Sequence, residues 1–337
     1  MKLVSYKTEE DEHLGLYING HIYNLNACDK FIPDNMNAFL QEGEQTMTRA
    51  KKIDSEIKSG KYQAKEELFF ELLAPVPHPT SCRDGYAFRQ HVASARRNRH
   101  LEMIPEFDQY PIFYFTNHNA IQGPGEIQCM PDHFQKLDFE LEVAAVIGTK
   151  GRNISASEAD KYIAGYTIMN DMSARTLQME EMLLSLGPAK GKDFSTVIGP
   201  WLVTPDELAS YRVAPKPGHI GNNYNLEMKC WVNNVLVSSG SMADMDWTFA
   251  EIIERCAYGT DILPGDVIGS GTVGTGCFLE LNGTGLLGDP QYTPQWLQPN
   301  DVVEMAITGL GHLSSTIRKV DTDLSILALK KHHKVNA

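Results

Sequence analysis

Apolar and polar positions along the chain fall into two regimes that change near residue 75. In the first, Leu14 to Tyr17 and Ile22 to Leu25 flank Asn19-Gly20, and short apolar runs around an Asn-Gly pair predict a β-hairpin. Met36, Phe39, Leu40, Met47, Ala50, Ile53 and Ile57 then recur at roughly helical spacing and stop near Gly60. The run Ala74-Pro75-Val76-Pro77-His78-Pro79 can neither continue a helix nor enter a central strand, so it reads as a boundary. A small N-terminal β/α domain over residues 1–75 and a main domain over residues 76–337 are expected.

The second regime is strand-rich. Leu137 to Ile147 alternates and then turns apolar, as a half-buried strand would. Ser155-x-x-Glu158 is a capping-box pattern that predicts a short helix toward Ile163. Tyr166 to Met169 reads as a strand, followed by Asp171 and a helix-compatible stretch from Ala174 to Leu186. Trp231 to Val237 reads as a hairpin and Thr248 to Cys256 as an amphipathic helix. Asp266 to Ile268 and Cys277 to Leu281 are expected as strands around a glycine-rich loop, with another strand over Asp301 to Ile307. Strands dominate and are not evenly interleaved with helices. That pattern disfavours a doubly wound parallel sheet and predicts a mixed α/β, β-rich roll with peripheral helices.

Composition changes this picture by exclusion. The 337 residues are 42% hydrophobic and 22% charged, enough to bury a sizeable core. A formal charge of −13 gives no basic footprint, so no nucleic acid is expected as a partner. No apolar run approaches the roughly 20 residues a membrane helix needs, so no membrane association is expected. The start, Met1 to Glu10, becomes charged too early for a signal peptide. Six scattered cysteines without a C-x-x-C pair suit reduced thiols, and a cytoplasmic location is expected.

Chemistry is suggested first by Asp138, Glu140 and Glu142, which share one face of a strand. Such a face is either solvated or gathers a cation, since clustered carboxylates repel one another when desolvated. Oxygen-only ligands would select Mg²⁺, Ca²⁺ or Mn²⁺. Asp171 stands at a strand-to-helix junction, as a cap or as a further ligand. Asp84 and His91 lie seven residues apart, two helical turns, and can face one pocket if the later part is helical. Gly269 to Gly274 matches G-x-G-x-x-G, but a strand is expected after it rather than a helix. The dinucleotide reading is therefore set aside in favour of backbone N–H groups that bind a carboxylate. Lys192, in Gly191-Lys192-Asp193, reads by itself as a surface lysine.

Taken in order, these segments resemble the fumarylacetoacetate hydrolase family from about Asp84 to about Gly311. The D-x-Y-x-x-R-Q-H element stands as Asp84 to His91, L-D-x-E-L-E as Leu137 to Glu142, and M-N-D-x-S-A-R-x-x-Q as Met169 to Gln178. G-K-x-F follows as Gly191 to Phe194, S-G-T as Ser270 to Thr272, and L-E-L as Leu279 to Leu281. The resemblance implies a β-roll catalytic domain over residues 76–337 and a homodimer. It also implies Asp84, Glu140, Glu142 and Asp171 as ligands of a divalent metal, Mg²⁺ or Ca²⁺ with Mn²⁺ as a further option. His91 becomes the general base, oriented by Glu280. Arg175, Gln178 and Lys192 stabilise developing negative charge, and Tyr86, Tyr114 and Thr272 contact substrate.

The implied reaction is hydrolysis of a carbon–carbon bond in a 1,3-diketo acid. Fumarylacetoacetate, giving fumarate and acetoacetate in tyrosine catabolism, or an acylpyruvate such as fumarylpyruvate, is the expected substrate. Within the superfamily the alternatives are isomerisation, decarboxylation or dehydration of a 2-oxo acid, and a non-catalytic metal-binding protein is the bland one. Two positions depart from the family pattern. An arginine expected at or just before His100 is displaced among Arg96, Arg97 and Arg99, and a substrate-facing tyrosine four residues after the family glutamine is Met182.

Overall fold

The structure, a computed structural model, describes residues 1–9 and 11–331. Its centre is the strand Leu141–Ile147, buried on both faces. Leu141, Val143, Ala145 and Ile147 belong to one apolar core, while Ala144 and Val146 belong to a second. The first core lies toward a five-stranded sheet and includes Met228, Cys230, Met305, Ile307 and Leu313 from its strands. The second is completed by the N-terminal segment through Leu3, Leu14, Leu16, Phe39 and Leu40. Two-sided burial explains why this strand starts as an alternating pattern and ends as a continuous apolar run.

Leu141–Ile147 lies within a twelve-stranded sheet that runs from the N-terminal strands to the site. The leading hairpin, Asp11–Ile18 with His21–Asn24, turns at Asn19 and Gly20, whose φ angles of 52° and 94° suit an Asn-Gly turn. Strand Lys2–Thr8 pairs antiparallel with this hairpin and, on its other edge, with Thr196–Val203. That contact makes the N-terminal strands one sheet with Ile163–Asp171, Leu141–Ile147, Val267–Gly269, Cys82–Gly85 and Phe113–Thr116. The helical stretch after the hairpin is two helices, Met36–Glu42 and Glu44–Lys58, divided at Gly43, which has a φ of 73°.

Two further expectations need correction. Residues 277–281 are not a strand: Phe278–Gly288 is a helix. A three-letter Leu-Glu-Leu window has no period to distinguish helix from strand, and the tertiary context decides. The Asp138 carboxylate accepts from the N–H groups of Phe278 and Leu279 at 2.8 and 2.9 Å, closing the helix N-terminus. The helix's glycines permit close packing, since a Cβ on Gly283 would sit 2.5 Å from Asn98. The short helix Ala156–Ala159 forms, but Ser155 makes no side-chain cap to it. A working capping box stands instead at Thr248 and Glu251, opening the helix Phe249–Ala257. No helix among the described residues is long and apolar enough to cross a membrane.

Candidate active site

Three backbone segments converge to bring acidic side chains together. The sheet register sets Asp84 opposite Gly269 on one side and opposite Tyr114 on the other. Glu142 lies opposite Met169, and Asp171 ends the strand Ile163–Asp171. Glu140 sits in the break before Leu141, where its N–H is held by the Asn170 side chain at 3.1 Å. Oxygen atoms of Asp84, Glu140, Glu142 and Asp171 all lie within 4.8 Å of one another, and none of the four residues is more than 5% exposed. Gly269 makes room for them: a Cβ there would come 2.4 Å from Asp84 Oδ1 and 3.0 Å from Glu142 Oε2.

Asp138 is not part of this group, although the alternation of a strand places it on the same face as Glu140 and Glu142. The ladder restarts between them, with Leu137 and Asp138 paired to Ala174 and Ser173, and Leu141 paired to Asn170. Asp138 therefore turns to Arg175, whose Nε and Nη2 lie 2.9 and 2.8 Å from Asp138 Oδ2, and to the helix N-terminus above.

Burial and crowding of like charges dominate the electrostatics. Burial, followed by the Asp171 charge, pushes Asp84 up to about 7. Glu142 is pushed well above the usual carboxylate range by burial and by Asp84 and Glu140. Glu140 behaves oppositely: burial would raise it, but Lys192 and Arg175 together hold it down at about 2. Lys192 is not a surface lysine. Its Nζ is buried 2.5 Å from Glu140 Oε2 and 2.8 Å from Asp171 Oδ2, and these carboxylates keep it charged despite burial. Tyr114 donates to Asp171 Oδ2 at 2.5 Å, and Gly271 N–H donates to Asp84 Oδ1 at 3.0 Å. Glu142 Oε2 and Asp171 Oδ1 still have no hydrogen-bond partner. Buried oxygens left without donors, in a hard all-oxygen set, fit a divalent cation.

Above this floor opens a cavity of about 660 Å³. Asp84, Glu140, Lys192, Arg175, Gln178, Tyr86, Tyr114, Thr272 and His91 all line it, whereas Glu142, Asp171 and Glu280 lie behind its wall. Arg175 reaches Glu140 Oε1 at 2.8 Å and holds the Gln178 amide oxygen at 3.0 Å. Thr272 approaches Glu142 at 3.4 Å. His91, on the helix Arg89–Arg97, has Nδ1 2.6 Å from Glu280 Oε2, with both side chains buried. That hydrogen bond leaves Nε2 as the nitrogen available to the cavity. Of the three arginines near His100, Arg99 is the one that lines the cavity, as does Met182.

The glycine-rich loop is followed by a helix, not the expected strand. Its glycines accommodate the protein's own groups: Gly271 N–H holds Asp84, Gly269 clears the carboxylates, and Gly274 clears Gln90, whose side chain a Cβ would meet at 2.4 Å. Two N–H groups of this loop are taken up by the protein's own carboxylates, Gly271 N–H by Asp84 and Thr275 N–H by Glu280. Sequence reasoning missed Asp138 as an organiser of Arg175 and of the Phe278–Gly288 helix. It also missed the outer cavity wall of Lys136, Met179, Leu286 and Trp296. No local pattern marks these residues; they meet only through the fold.

The site is thus a carboxylate nest whose geometry fits a divalent cation, set beneath a cavity with His91 on its wall and Glu280 behind it. The chain belongs to the fumarylacetoacetate hydrolase family: the model of the fumarylacetoacetate (FAA) hydrolase C-terminal domain matches residues 80–318. It is similar to the mitochondrial oxaloacetate tautomerase of Homo sapiens, at 31% identity over 324 residues, 92% of this chain and 90% of that protein. Its fold resembles the fumarylacetoacetate hydrolase from psychrophilic Exiguobacterium antarcticum, with a TM-score of 0.70 and 24% identity over 95% of this chain and 100% of that one. It also resembles maleylpyruvate hydrolase from Sphingobium sp. SYK-6, solved with manganese(II) ion and pyruvate. There the TM-score is 0.66 and the identity 17%, over 95% of this chain and 99% of that one.

Proposed function

We propose that this chain hydrolyses the carbon–carbon bond between the carbonyls of a small 1,3-diketo acid, with fumarylacetoacetate as the first candidate. The observation that carries this reading is the 2.6 Å hydrogen bond from His91, on the wall of a cavity floored by carboxylates, to Glu280 behind that wall. Asp84, Glu140, Glu142 and Asp171 would hold a divalent cation, Mg²⁺ or Ca²⁺ with Mn²⁺ as a further option. Such an ion, when bound, supplies Lewis acidity to the diketone oxygens. The manganese(II) and pyruvate in the Sphingobium enzyme support an ion of this kind.

His91 Nε2 takes a proton from water, while Glu280 keeps the proton on Nδ1 and stabilises the imidazolium. Hydroxide adds to the acyl carbonyl and forms a tetrahedral oxyanion. Lys192 and Arg175 hold fixed positive charge beside it, and each such donor is typically worth about 10²–10³-fold in rate. The carbon–carbon bond then breaks, and its electron pair is taken up by the second carbonyl as an enolate. The proton on His91 goes to the carbon that lay between the two carbonyls, so one water is consumed, a carboxylic acid and a keto acid leave, and the imidazole is neutral again.

A second reading, keto–enol tautomerisation of a 2-oxo diacid, is favoured by the 31% identity to the human oxaloacetate tautomerase. The same nitrogen would take its proton from carbon instead of water. One assay separates the two. Fumarylacetoacetate, fumarylpyruvate and acetylpyruvate are followed by loss of diketo-acid absorbance with Mg²⁺, Mn²⁺ or EDTA, and oxaloacetate by decay of its enol. Metal-dependent loss with recovery of fumarate and acetoacetate supports hydrolysis. Faster oxaloacetate enol decay, with no cleavage of any diketo acid, refutes hydrolysis and leaves tautomerisation. The expected homodimer belongs to the same proposal, and a monomer mass by light scattering would refute it.

A further inference from the structure

The outer cavity carries two cations that this reaction does not use. Arg99 and Lys136 both line it. Among the described residues, neither has a carboxylate within ion-pair distance. Arg99 Nε donates to the Ala95 carbonyl at 3.1 Å, and the Lys136 ammonium sits 5.9 Å from the centroid of the Trp296 ring.

The two cations belong to different walls. The helix Phe278–Gly288 stands between them: Asn98, beside Arg99, donates to Glu280 O at 2.9 Å. On the other flank, Asn282 holds the Gln295 backbone, its amide donating to the carbonyl at 2.7 Å and its oxygen accepting from the N–H at 2.9 Å. Gln295 leads into Trp296.

Lys136 is anchored through its backbone. Its carbonyl accepts from Arg175 N–H at 2.9 Å, and the next residue, Leu137, pairs with Ala174 and bridges to Leu297. The side chain is exposed, but its origin is fixed beside the catalytic arginine. The wall it shares with Met179, Met182 and Trp296 is apolar. An apolar wall and a cation without a counter-ion fit a carbon chain ended by a carboxylate.

We propose that Lys136 is a specificity-determining residue that binds the terminal carboxylate of the substrate's acyl arm, with the arm's carbons lying along Met179, Met182 and Trp296. The proposal rests on the diketo-acid reading and narrows its substrate class to diacids. Trp296 suits an unsaturated arm, whose flat carbons stack on the indole. Lys136 contributes about tenfold in affinity, between an open surface ion pair and a charged hydrogen bond shielded from water.

The test compares fumarylacetoacetate with 3,5-dioxohexanoate, a diketo acid whose acyl arm ends in a methyl group. Lys136→Met is expected to lower kcat/KM for the diacid about tenfold, through KM, and to leave the monoacid unchanged, with Lys136→Arg restoring the diacid. Calorimetric titration of both acids into magnesium-loaded His91→Ala protein, with and without Lys136→Met, reads the same contrast as affinity. Equal losses on both acids, an unchanged diacid, or a diacid that fails to bind His91→Ala would overturn the assignment. If the wild-type protein cleaves neither acid, the hydrolase reading fails, and Lys136 still stands or falls on the calorimetric difference.

Discussion

Replacing Glu280 with glutamine tests how the histidine pair is held, and the structure sets its size. Glu280 Oε2 accepts from His91 Nδ1 at 2.6 Å and also from Thr275 N–H at 3.0 Å, so one oxygen serves two donors. In Glu280→Gln the amide must place either oxygen or nitrogen at that point. Nitrogen would face the Thr275 N–H donor to donor, so oxygen is held there and the Nδ1–H tautomer survives. Only the charge is lost. A charged buried hydrogen bond exceeds a neutral one by about 1–2 kcal/mol, so kcat should fall by roughly 5–30-fold. Glu280→Ala removes orientation as well, and a larger fall, on the order of 10³-fold, is expected. The assay is steady-state loss of diketo-acid absorbance with saturating Mg²⁺, alongside calorimetric metal affinity, which should not move in either variant. A Glu280→Gln loss near 10⁴-fold, the size known for a reversed tautomer in the serine-protease triad, would refute the role given to Thr275. Near-normal turnover in Glu280→Ala would refute the pair itself.

The carboxylate nest gives a pH prediction. Asp84, raised from 3.8 to about 7, binds its proton more tightly folded than unfolded, so metal-free protein loses stability as pH rises across that interval. A divalent ion bound by the nest would displace that proton. The melting-temperature gap between Mg²⁺-loaded and EDTA-stripped protein should therefore widen from pH 4 to 7, and a gap that narrows would contradict the assignment. Gly269→Ala would place a Cβ 2.4 Å from Asp84 Oδ1, so calorimetry should show metal affinity reduced by at least about tenfold, with stability lower by about 1–3 kcal/mol. Unchanged affinity would mean the nest is looser than its geometry. Asp138→Ala strips the buried Arg175 of a partner and the Phe278–Gly288 helix of its cap, at a cost of about 3–5 kcal/mol in urea unfolding. A cost below 1 kcal/mol would show that Glu140 alone suffices for Arg175.

Much of the site was legible because its residues sit in short ordered segments whose types carry their chemistry. Asp84 with His91, Glu140 with Glu142, and Asp171 with Arg175 each occupy a window of eight residues or fewer, and the family resemblance joins these windows. Legibility failed where a residue's meaning depends on a distant partner. Asp138 looks like a third ligand by strand alternation, and only the restart of the ladder before Leu141 turns it to Arg175. Leu279-Glu280-Leu281 looks like a strand until Asp138, some 140 residues earlier, caps the helix that contains it. Lys192 looks solvent-facing in Gly191-Lys192-Asp193 until two carboxylates from separate segments enclose its ammonium.

By itself the sequence determined the β-rich class, the Asn-Gly hairpin, the acidic inventory and the order of the motifs. These follow from local periodicity, turn chemistry and side-chain identity, which act over a few residues. Tertiary structure decided which carboxylates face one another and which pair with arginine. It also decided that Lys192 is buried, that Glu280 reaches His91 from a helix, and that the N-terminal strands join the same sheet as the site. Those outcomes depend on the desolvation and mutual charge of groups far apart in the chain, energies that exist only once the fold has removed water from between them.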